Sequence, residues 1–417
     1  MNIKLVALLV LVLLTSACSS LKFWDDESLS EEEIAELEAE TEASKEDKSE
    51  PLPLKDYAES VRIRKLWRRS TGAGQEVYAA SLQPAVAENT VFAANPKGRV
   101  SAFNKADGDR LWRTDLDTTL IGGVGVGAGL ALVGNDDGEV IALAADTGEE
   151  RWRASLTSEV LAPPAALEEL VVAQTLDGKI HGLSASNGEL LWRYTTEMPV
   201  LTLRGTAAPV LIANMVILGL ANGELMALDP GSGELLWESK FVSGEGKTEL
   251  ERIVDVNTPV VVGDIIYASS YQGKVGAISR GAGRELWTQA ASSHHAPSYG
   301  PGRLYLVGAD DRVFSYRASG GIEQWVNEDF LRRKLTAPTA LKNFTAVADR
   351  QGYLHLLAPE DGEVMGRVKV DGDGVSVPMV ASELEGGEGK SNRETLFVLD
   401  NSGDLTAYQF DLKGSEQ

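Results

Sequence analysis

The sequence predicts an all-β fold, an eight-bladed β-propeller with four-stranded antiparallel blades. Seven of the eight tryptophans recur at intervals of 38 to 50 residues. A proline stands 28 residues before the Trp in five of these repeats, so the repeat has a core of constant length. Self-similarity in this range is typical of propellers and solenoids. The recurring tryptophans are Trp67, Trp112, Trp152, Trp192, Trp237, Trp287 and Trp325.

Each repeat contains four short apolar runs separated by turns rich in Gly, Asn and Asp. In the fifth repeat the runs cover residues 260–262, 265–268, 274–278 and 285–287. Short runs joined by tight turns indicate strands of an antiparallel meander. Helical periodicity is nowhere sustained in the body of the chain. Each repeat is therefore predicted to form one blade.

The number of blades follows from the Trp positions. Gly366 occupies the seventh repeat's Trp place, 28 residues after Pro338, which brings the count to eight. Trp67 has no preceding strands of its own, while the chain end supplies strand-like runs without a final Trp strand: residues 378–380, 395–399 and 404–410. We expect the strand around residues 64–67 to form the outer strand of the eighth blade. This pairing closes the ring and removes exposed sheet edges.

The first residues are typical of a signal peptide, predicted at 1–17. Lys4 precedes an apolar run at 5–14, which is too short to span a bilayer as a helix. The only cysteine, Cys18, follows small residues in a segment that resembles a bacterial lipobox. That resemblance implies cleavage before Cys18 and lipidation by acyl chains such as palmitate, which anchor a protein durably. Ser19 in place of Asp implies transfer to the outer membrane, with the folded part facing the periplasm.

Residues 18–60 are predicted to be the lipidated cysteine and an acidic, disordered tether, with the propeller at 61–417. Thirteen acidic residues and two lysines lie between residues 25 and 50, where no aromatic residue is found. Such a segment buries too little apolar surface to offset the entropy of ordering it. The formal net charge of −23 also lacks the basic footprint that phosphate binding needs. Nucleic acid is therefore excluded as an expected partner.

The repeat is similar to the tryptophan-docking motif of pyrroloquinoline-quinone (PQQ) propellers. The motif is carried by residues 146–152, 187–192 and 231–237, each of which has a turn glycine, Glu and Trp in register. A Trp on an outer strand can lie between blades, where an indole buries 150 to 250 Å². The resemblance implies the propeller fold and shared ancestry with quinoprotein alcohol dehydrogenases.

An enzyme of that kind would carry paired cysteines and calcium ligands at the quinone. This chain has a single cysteine, already assigned to the anchor, and short connections between blades. His294 and His295 are adjacent, but metal ligands converge from several elements. We therefore expect no catalytic residue, metal or cofactor, and interpret the chain as a scaffold. A PQQ-dependent dehydrogenase-like quinoprotein is the alternative.

Two consecutive connections are longer than the rest. The Trp-to-Pro distance is 17 residues from Trp192 to Pro209 and 22 from Trp237 to Pro259, against 10 to 13 in five others. Equivalent connections emerge on the same face of a propeller, so the two insertions should form one neighbouring patch. Loops on a rigid scaffold are where binding residues usually lie.

The first insertion carries Leu201, Leu203 and Arg204, and the second carries Asp255 and Asn257 among other charged residues. Aliphatic anchors beside an arginine and acidic groups are typical of a protein-binding hot spot. The alternative is that Leu201 and Leu203 belong to an extended inner strand.

Taken together, the lipobox, the acidic linker and the eight blades resemble the BamB family, the lipoproteins of the outer-membrane β-barrel assembly machinery. The resemblance implies that a Leu-x-Leu-Arg segment and an Asp-x-Asp segment bind the periplasmic (POTRA) domains of BamA. Leu201, Leu203 and Arg204 match the first segment; Asp255 matches the start of the second, and Asn257 departs from it. Unfolded outer-membrane proteins are the implied clients. An extracytoplasmic lipoprotein with a different partner remains the other alternative.

Overall fold

The structure is a computed structural model that describes residues 50–75, 81–204, 207–370, 372–384 and 393–413 of the 417-residue chain. The predicted signal peptide, Cys18 and residues 18–49 of the predicted tether lie outside the described residues. Residues 51–417 form one compact unit whose strands build eight separate sheets. Within the described part of the chain, no helix is long and apolar enough to cross a membrane.

The first strands precede the regular repeats. They are β1 (Val61–Ser70) and the two-residue β2 (Ser81–Leu82). Blade 1 consists of β3 (Ala85–Ala87), β4 (Thr90–Ala94), β5 (Arg99–Asn104) and β6 (Arg110–Asp115). Blade 2 contains β7 (Leu120–Gly127), β8 (Leu130–Asn135), β9 (Glu139–Ala144) and β10 (Glu150–Ser155). Blade 3 contains β11 (Ala165–Leu167), β12 (Leu170–Gln174), β13 (Lys179–Ser184) and β14 (Leu190–Thr195).

The next blades repeat this order. Blade 4 contains β15 (Val210–Ile212), β16 (Met215–Gly219), β17 (Glu224–Leu228) and β18 (Leu235–Lys240). A single turn of 3₁₀ helix (Leu250–Arg252) lies before blade 5, which contains β19 (Val260–Val262), β20 (Ile265–Ser269), β21 (Gly273–Ser279) and β22 (Glu285–Ala291). Blade 6 contains β23 (Ser298–Gly300), β24 (Arg303–Val307), β25 (Val313–Arg317) and β26 (Glu323–Asn327).

Blade 7 contains β27 (Thr339–Ala340), β28 (Thr345–Ala348), β29 (Tyr353–Leu357) and β30 (Val364–Lys369). The last strands are β31 (Val380–Leu384), β32 (Arg393–Leu399) and β33 (Asp404–Leu412). The first strands of neighbouring blades contact one another, so they surround the centre of the ring. The predicted eight-bladed architecture is confirmed.

The ring is closed as predicted. The eighth sheet has the order β1-β33-β32-β31, with the N-terminal strand outermost. β1 pairs antiparallel with β33 from Val61 opposite Leu412 to Ser70 opposite Asp404. Because both chain ends share one ladder, neither can fray without breaking the other's hydrogen bonds.

Blade 2 differs from the prediction by a fifth strand. β2 pairs in parallel with β7, the innermost strand of this blade. The glycines of β7 allow the neighbouring backbone to approach: a Cβ at Gly125 would lie 1.7 Å from the Pro164 carbonyl oxygen, and one at Gly122 would lie 2.2 Å from that of Val160. The glycine run therefore serves close packing at the centre.

Each recurring tryptophan docks on the following blade. The indole Nε1–H donates to a backbone carbonyl there, at 2.8 Å for Trp192 and Pro230 and at 3.1 Å for Trp67 and Lys105. The ring face lies against a glycine of positive φ in that blade, where a Cβ would come within 2.3 to 2.6 Å of the indole. These glycines are Gly108, Gly148, Gly188, Gly233, Gly283, Gly321 and Gly362. The Trp repeat is thus a blade-to-blade lock made of an indole, a glycine and a carbonyl.

The seam between blades 7 and 8 lacks this lock. At Gly366, in the vacant Trp position, a Cβ would lie 2.9 Å from the Val61 carbonyl oxygen. The start of β1 therefore fills the space that an indole occupies elsewhere. Val61 and Ile63 join the apolar cluster that spans this seam.

Residues 51–60, here called the leading segment, lie against blade 7 and are not free tether as predicted. Arg333 Nη1 donates to the Leu52 carbonyl at 2.8 Å, and the Ser60 N–H donates to the Met365 carbonyl at 3.0 Å. Leu54 packs against the apolar cluster between blades 6 and 7. The folded unit therefore begins ten residues earlier than the predicted boundary at residue 61.

Candidate protein-binding patch

The two long connections lie at the same end of neighbouring blades. The first insertion, residues 196–209, joins β14 to β15, and the second, residues 241–259, joins β18 to β19. In their described residues the single regular element is the 3₁₀ turn at Leu250–Arg252. Leu201 and Leu203 therefore belong to a loop, and the alternative of an extended inner strand is not supported.

Two hydrogen bonds tie the insertions together. The Leu203 N–H donates to Asp255 Oδ2 at 2.9 Å, and the Ala208 N–H donates to Thr258 Oγ1 at 2.8 Å. The predicted proximity of the two insertions is confirmed by these contacts. The second insertion therefore fixes the backbone of the first, which presents the candidate binding side chains.

The first insertion presents three of the five predicted site residues to solvent. Leu201 and Leu203 are 41% and 37% exposed, and the Arg204 side chain is 66% exposed. We call Leu201, Leu203 and Arg204 the binding patch. Two exposed aliphatic side chains beside a guanidinium form the kind of centre that hot spots have.

Arg204 is held by its backbone while its side chain stays available. Its φ is +58°, and its N–H donates to Thr202 Oγ1 at 3.0 Å. The guanidinium lies 3.6 Å from a Glu159 carboxylate oxygen. An ion pair this exposed contributes about 0–1 kcal/mol, so Arg204 can exchange Glu159 for a carboxylate on a partner. Glu159 was not predicted, because it lies in a connection of ordinary length with no distinguishing pattern.

Asp255 has a positioning role in this structure. It is 3% exposed, and its Oδ2 is occupied by the Leu203 N–H. Its Oδ1 is buried without a hydrogen-bond partner among the described residues. Burial raises the pKa of Asp255 to about 6, against the lowering effect of the Leu203 hydrogen bond. A partner can reach this carboxylate only if the insertions rearrange.

Asn257 is likewise turned toward its own fold. Its Nδ2 donates to the Ser293 carbonyl at 3.0 Å and to Ser269 Oγ at 3.1 Å. An aspartate could not donate these hydrogen bonds, which accounts for the amide at this position. Asn257 therefore fixes the end of the second insertion on blade 5.

The buried Asp255 carboxyl should give the protein a pH-dependent stability. Because its pKa is raised in the folded state, the unfolded chain loses the proton first as the pH increases. The free energy of unfolding should therefore fall between about pH 4 and pH 6, by about 2–3 kcal/mol from this group. Asp255→Asn keeps an oxygen for the Leu203 N–H and removes this titration. Urea unfolding of both proteins at several pH values measures the difference, and a difference that stays constant across the window would contradict the assignment.

The central depression at the patch end of the ring was compared with the needs of PQQ and calcium. The cavity of about 390 Å³ is lined by prolines, small residues and neutral polar groups such as Asn257 and Thr258. Its lining contains no Lys or Arg for the three carboxylates of PQQ and no Asp or Glu for calcium. The described residues contain no cluster of three or more His, Cys, Asp or Glu that could hold a metal ion. The lining does not fit the quinone.

His294 and His295 behave as the loop pair that was predicted. The His294 ring stacks on Tyr271 with centroids 4.5 Å apart, and the His295 N–H donates to Ser293 Oγ at 2.9 Å. Burial lowers the pKa of both imidazoles, to about 4 for His295. Their contacts are those of a packed connection.

Comparison with known proteins extends over most of the chain. A family profile described as "Outer membrane protein assembly factor BamB" matches residues 96–327. The outer membrane protein assembly factor BamB of Pseudomonas aeruginosa is 46% identical over 360 residues, which are 86% of this chain and 92% of that protein. The crystal structure of BamB from Moraxella catarrhalis aligns with a TM-score of 0.73 and 27% identity, covering 84% of this chain and all of that one. The quinohemoprotein alcohol dehydrogenase of Comamonas testosteroni shares the fold at 14% identity, with a TM-score of 0.64, 85% of this chain and 77% of its own.

Proposed function

The chain belongs to the BamB family of outer membrane protein assembly factors, and we propose that its propeller binds the periplasmic POTRA domains of BamA through Leu201, Leu203 and Arg204. In this proposal the chain is a scaffold that holds unfolded outer-membrane proteins near the assembly machinery. It carries no cofactor and performs no chemistry of its own.

The bond from the Leu203 N–H to Asp255 is the observation that carries this proposal. It joins two neighbouring insertions and leaves the three binding-patch side chains exposed on a fixed backbone. A preorganised loop loses little conformational entropy when it binds. The exposed guanidinium of Arg204 favours an acidic counterpart on the partner, and Leu201 and Leu203 favour an apolar one.

The family decides between the scaffold and the enzyme. The relatives that share 46% identity with the chain are named assembly factors, whereas the dehydrogenase likeness at 14% identity concerns the fold alone. The protein is therefore a non-catalytic member of a fold shared with quinoproteins.

Membership of the family also associates the chain with the outer membrane. We further propose that Cys18 carries the lipid anchor after removal of residues 1–17, and that the propeller faces the periplasm. The acidic residues between 18 and 50 would then connect the anchor to blade 7, where the leading segment is held. A lipid anchor and a scaffold role are compatible, since neither requires the chain to cross the bilayer.

Affinity recovery from solubilised membranes tests the proposed function. Arg204→Glu should reduce recovery of BamA by about tenfold or more relative to wild type, because it removes the patch cation and repels an acidic partner. Arg193→Glu is the matched control: it reverses an exposed arginine on β14, outside the insertions, and should recover BamA as wild type does.

The outcomes separate the site from the function. Equal recovery of BamA by wild type and Arg204→Glu would refute the binding patch. Failure of the wild-type chain itself to recover BamA would refute the proposed function. Loss in Arg193→Glu as well would show that the effect comes from overall charge and not from the patch.

A further inference from the structure

The outer strands of blades 3 and 4 expose an uncovered apolar surface. In each blade the two positions before the Trp lie on the outermost strand, at the end of the blade opposite the insertions. In blades 3 and 4 both positions are leucine, and all four side chains are classed among the exposed large apolar residues: Leu190, Leu191, Leu235 and Leu236.

The fold itself does not require these leucines. The equivalent pairs are Arg110 and Leu111 in blade 1, Glu150 and Arg151 in blade 2, Glu285 and Leu286 in blade 5, and Glu323 and Gln324 in blade 6. Those blades dock their tryptophans in the same way with at least one charged residue in the pair. The paired leucines therefore serve something other than blade geometry.

A groove separates the two exposed leucine pairs. It has a volume of about 270 Å³ and an apolar floor. Leu167, Leu170 and Leu191 line it from blade 3; Leu211, Ile212 and Pro230 line it from blade 4. The turn between β11 and β12 places Glu168 and Glu169 at its rim. We call this surface, with its four flanking leucines, the blade 3–4 groove.

The surroundings of the groove are acidic. Glu189 and Glu234 stand directly before the two leucine pairs, in addition to Glu168 and Glu169 at the rim. Lys179, Arg193 and Arg204 are the only Lys or Arg residues between positions 154 and 239 of the sequence, and Lys179 and Arg204 lie at the insertion end of the blades. The charge pattern favours an occupant that carries basic residues beside its apolar ones.

Blade 7 shows what covers such a pair within this molecule. Its equivalent residues, Val364 and Met365, precede the vacant Trp position and are covered by the chain's own leading segment. That segment runs in an extended conformation, inserts Leu54 into the cluster between blades 6 and 7, and donates the Ser60 N–H to Met365. An extended chain with an apolar anchor thus fits the outer surface of a blade carrying two apolar residues at these positions.

We propose that the blade 3–4 groove binds an extended peptide segment in which apolar residues are flanked by Lys or Arg. The apolar side chains pack on the floor and on the exposed leucines, and the basic residues pair with the four glutamates around it. This proposal rests on the proposed function, because the unfolded chains that an assembly factor meets are a source of such segments. The groove and the binding patch lie at opposite ends of the same blades, so both can be occupied at once.

Fluorescence anisotropy with a defined probe tests the proposal. The probe is a labelled peptide of about ten residues in which leucine alternates with threonine between lysine ends, the spacing that places leucines on one face of a strand. The full chain should bind this peptide, and binding should weaken with added salt and with aspartate in place of the lysines. Leu191→Glu combined with Leu236→Glu should weaken binding about tenfold or more.

The matched control is the double variant Leu111→Glu with Leu286→Glu. These leucines hold the same position before the Trp and have similar exposure, 52% and 46% against 55% for Leu191 and 46% for Leu236. The control should bind the probe as wild type does, and circular dichroism should show both double variants folded.

Three results would overturn the proposal: no binding of the probe by the wild-type chain, equal loss in both double variants, or preference for the aspartate-flanked peptide. Self-association of the wild-type chain in sedimentation that disappears in Leu191→Glu/Leu236→Glu would assign the surface to a second copy instead. Failure here is distinguishable from failure of the proposed function, because Arg204→Glu should keep the probe and the groove variant should keep BamA.

Discussion

Trp192→Ala is expected to lower the free energy of unfolding by about 3–5 kcal/mol. The indole lies in the buried cluster between blades 3 and 4, rests on Gly233 and donates to the Pro230 carbonyl at 2.8 Å. Removing it leaves a cavity at the blade interface and a carbonyl without its donor. Urea unfolding followed by circular dichroism measures the change.

The neighbouring residue provides the control. Leu191 stands on the same strand but points to solvent, so Leu191→Ala should change the free energy of unfolding by no more than about 0.5 kcal/mol. Equal stability of the two variants would contradict the role of the indole as a lock between blades.

Asp349→Ala is expected to cost about 3–5 kcal/mol, because it leaves a buried arginine without its counterion. Asp349 and Arg333 are both buried, with Arg333 Nη2 2.7 Å from Asp349 Oδ2. His355 Nε2 lies 3.1 Å from the same oxygen, and Arg367 Nε donates to His355 Nδ1 at 3.0 Å. Since Nδ1 accepts, the imidazole is neutral and donates from Nε2. Burial lowers the pKa of His355, consistent with the neutral form.

This network also holds the leading segment, since Arg333 donates to Leu52 and Arg367 donates to Lys55. Thermal unfolding and limited proteolysis of the 51–60 region should therefore change together in Asp349→Ala. Asp329→Ala removes the exposed ion pair of the same segment with Lys55 and should cost no more than about 1 kcal/mol. A larger loss in Asp329→Ala than in Asp349→Ala would contradict the network's importance.

The repeat could be predicted from the sequence because its lock is visible there. A Trp can dock on the next blade only if a turn glycine stands in register, and both recur along the chain. The fifth blade shows the agreement: runs at 260–262 and 265–268 correspond to β19 and β20. Ring closure was predictable for the same reason, since Trp67 lacked strands that the C-terminus supplied.

The packing of residues 51–60 could not be predicted, because that segment belongs to no repeat. Its prolines and charges are as typical of a tether as of a docked strand. The decisive contacts come from Arg333 and Arg367, about 300 residues away in sequence. The missing Trp at Gly366 was the one signal that this seam needed another solution.

The patch was predictable as a place but not as a set of contacts. Loop length indicated the two insertions, and Leu201, Leu203 and Arg204 are exposed as a binding surface requires. A carboxylate in a charged loop is expected to be solvated, so the burial of Asp255 under Leu203 left no trace in the sequence. The pairs Leu190/Leu191 and Leu235/Leu236 were visible only as parts of the Trp motif.

A structure of the chain bound to BamA would test the central claim most directly. We expect a POTRA domain to contact Leu201, Leu203 and Arg204, with the Leu203 N–H still bonded to Asp255 beneath the interface. A POTRA domain seated instead in the central depression, or at the opposite end of the blades, would contradict the claim that the joined insertions form the docking surface.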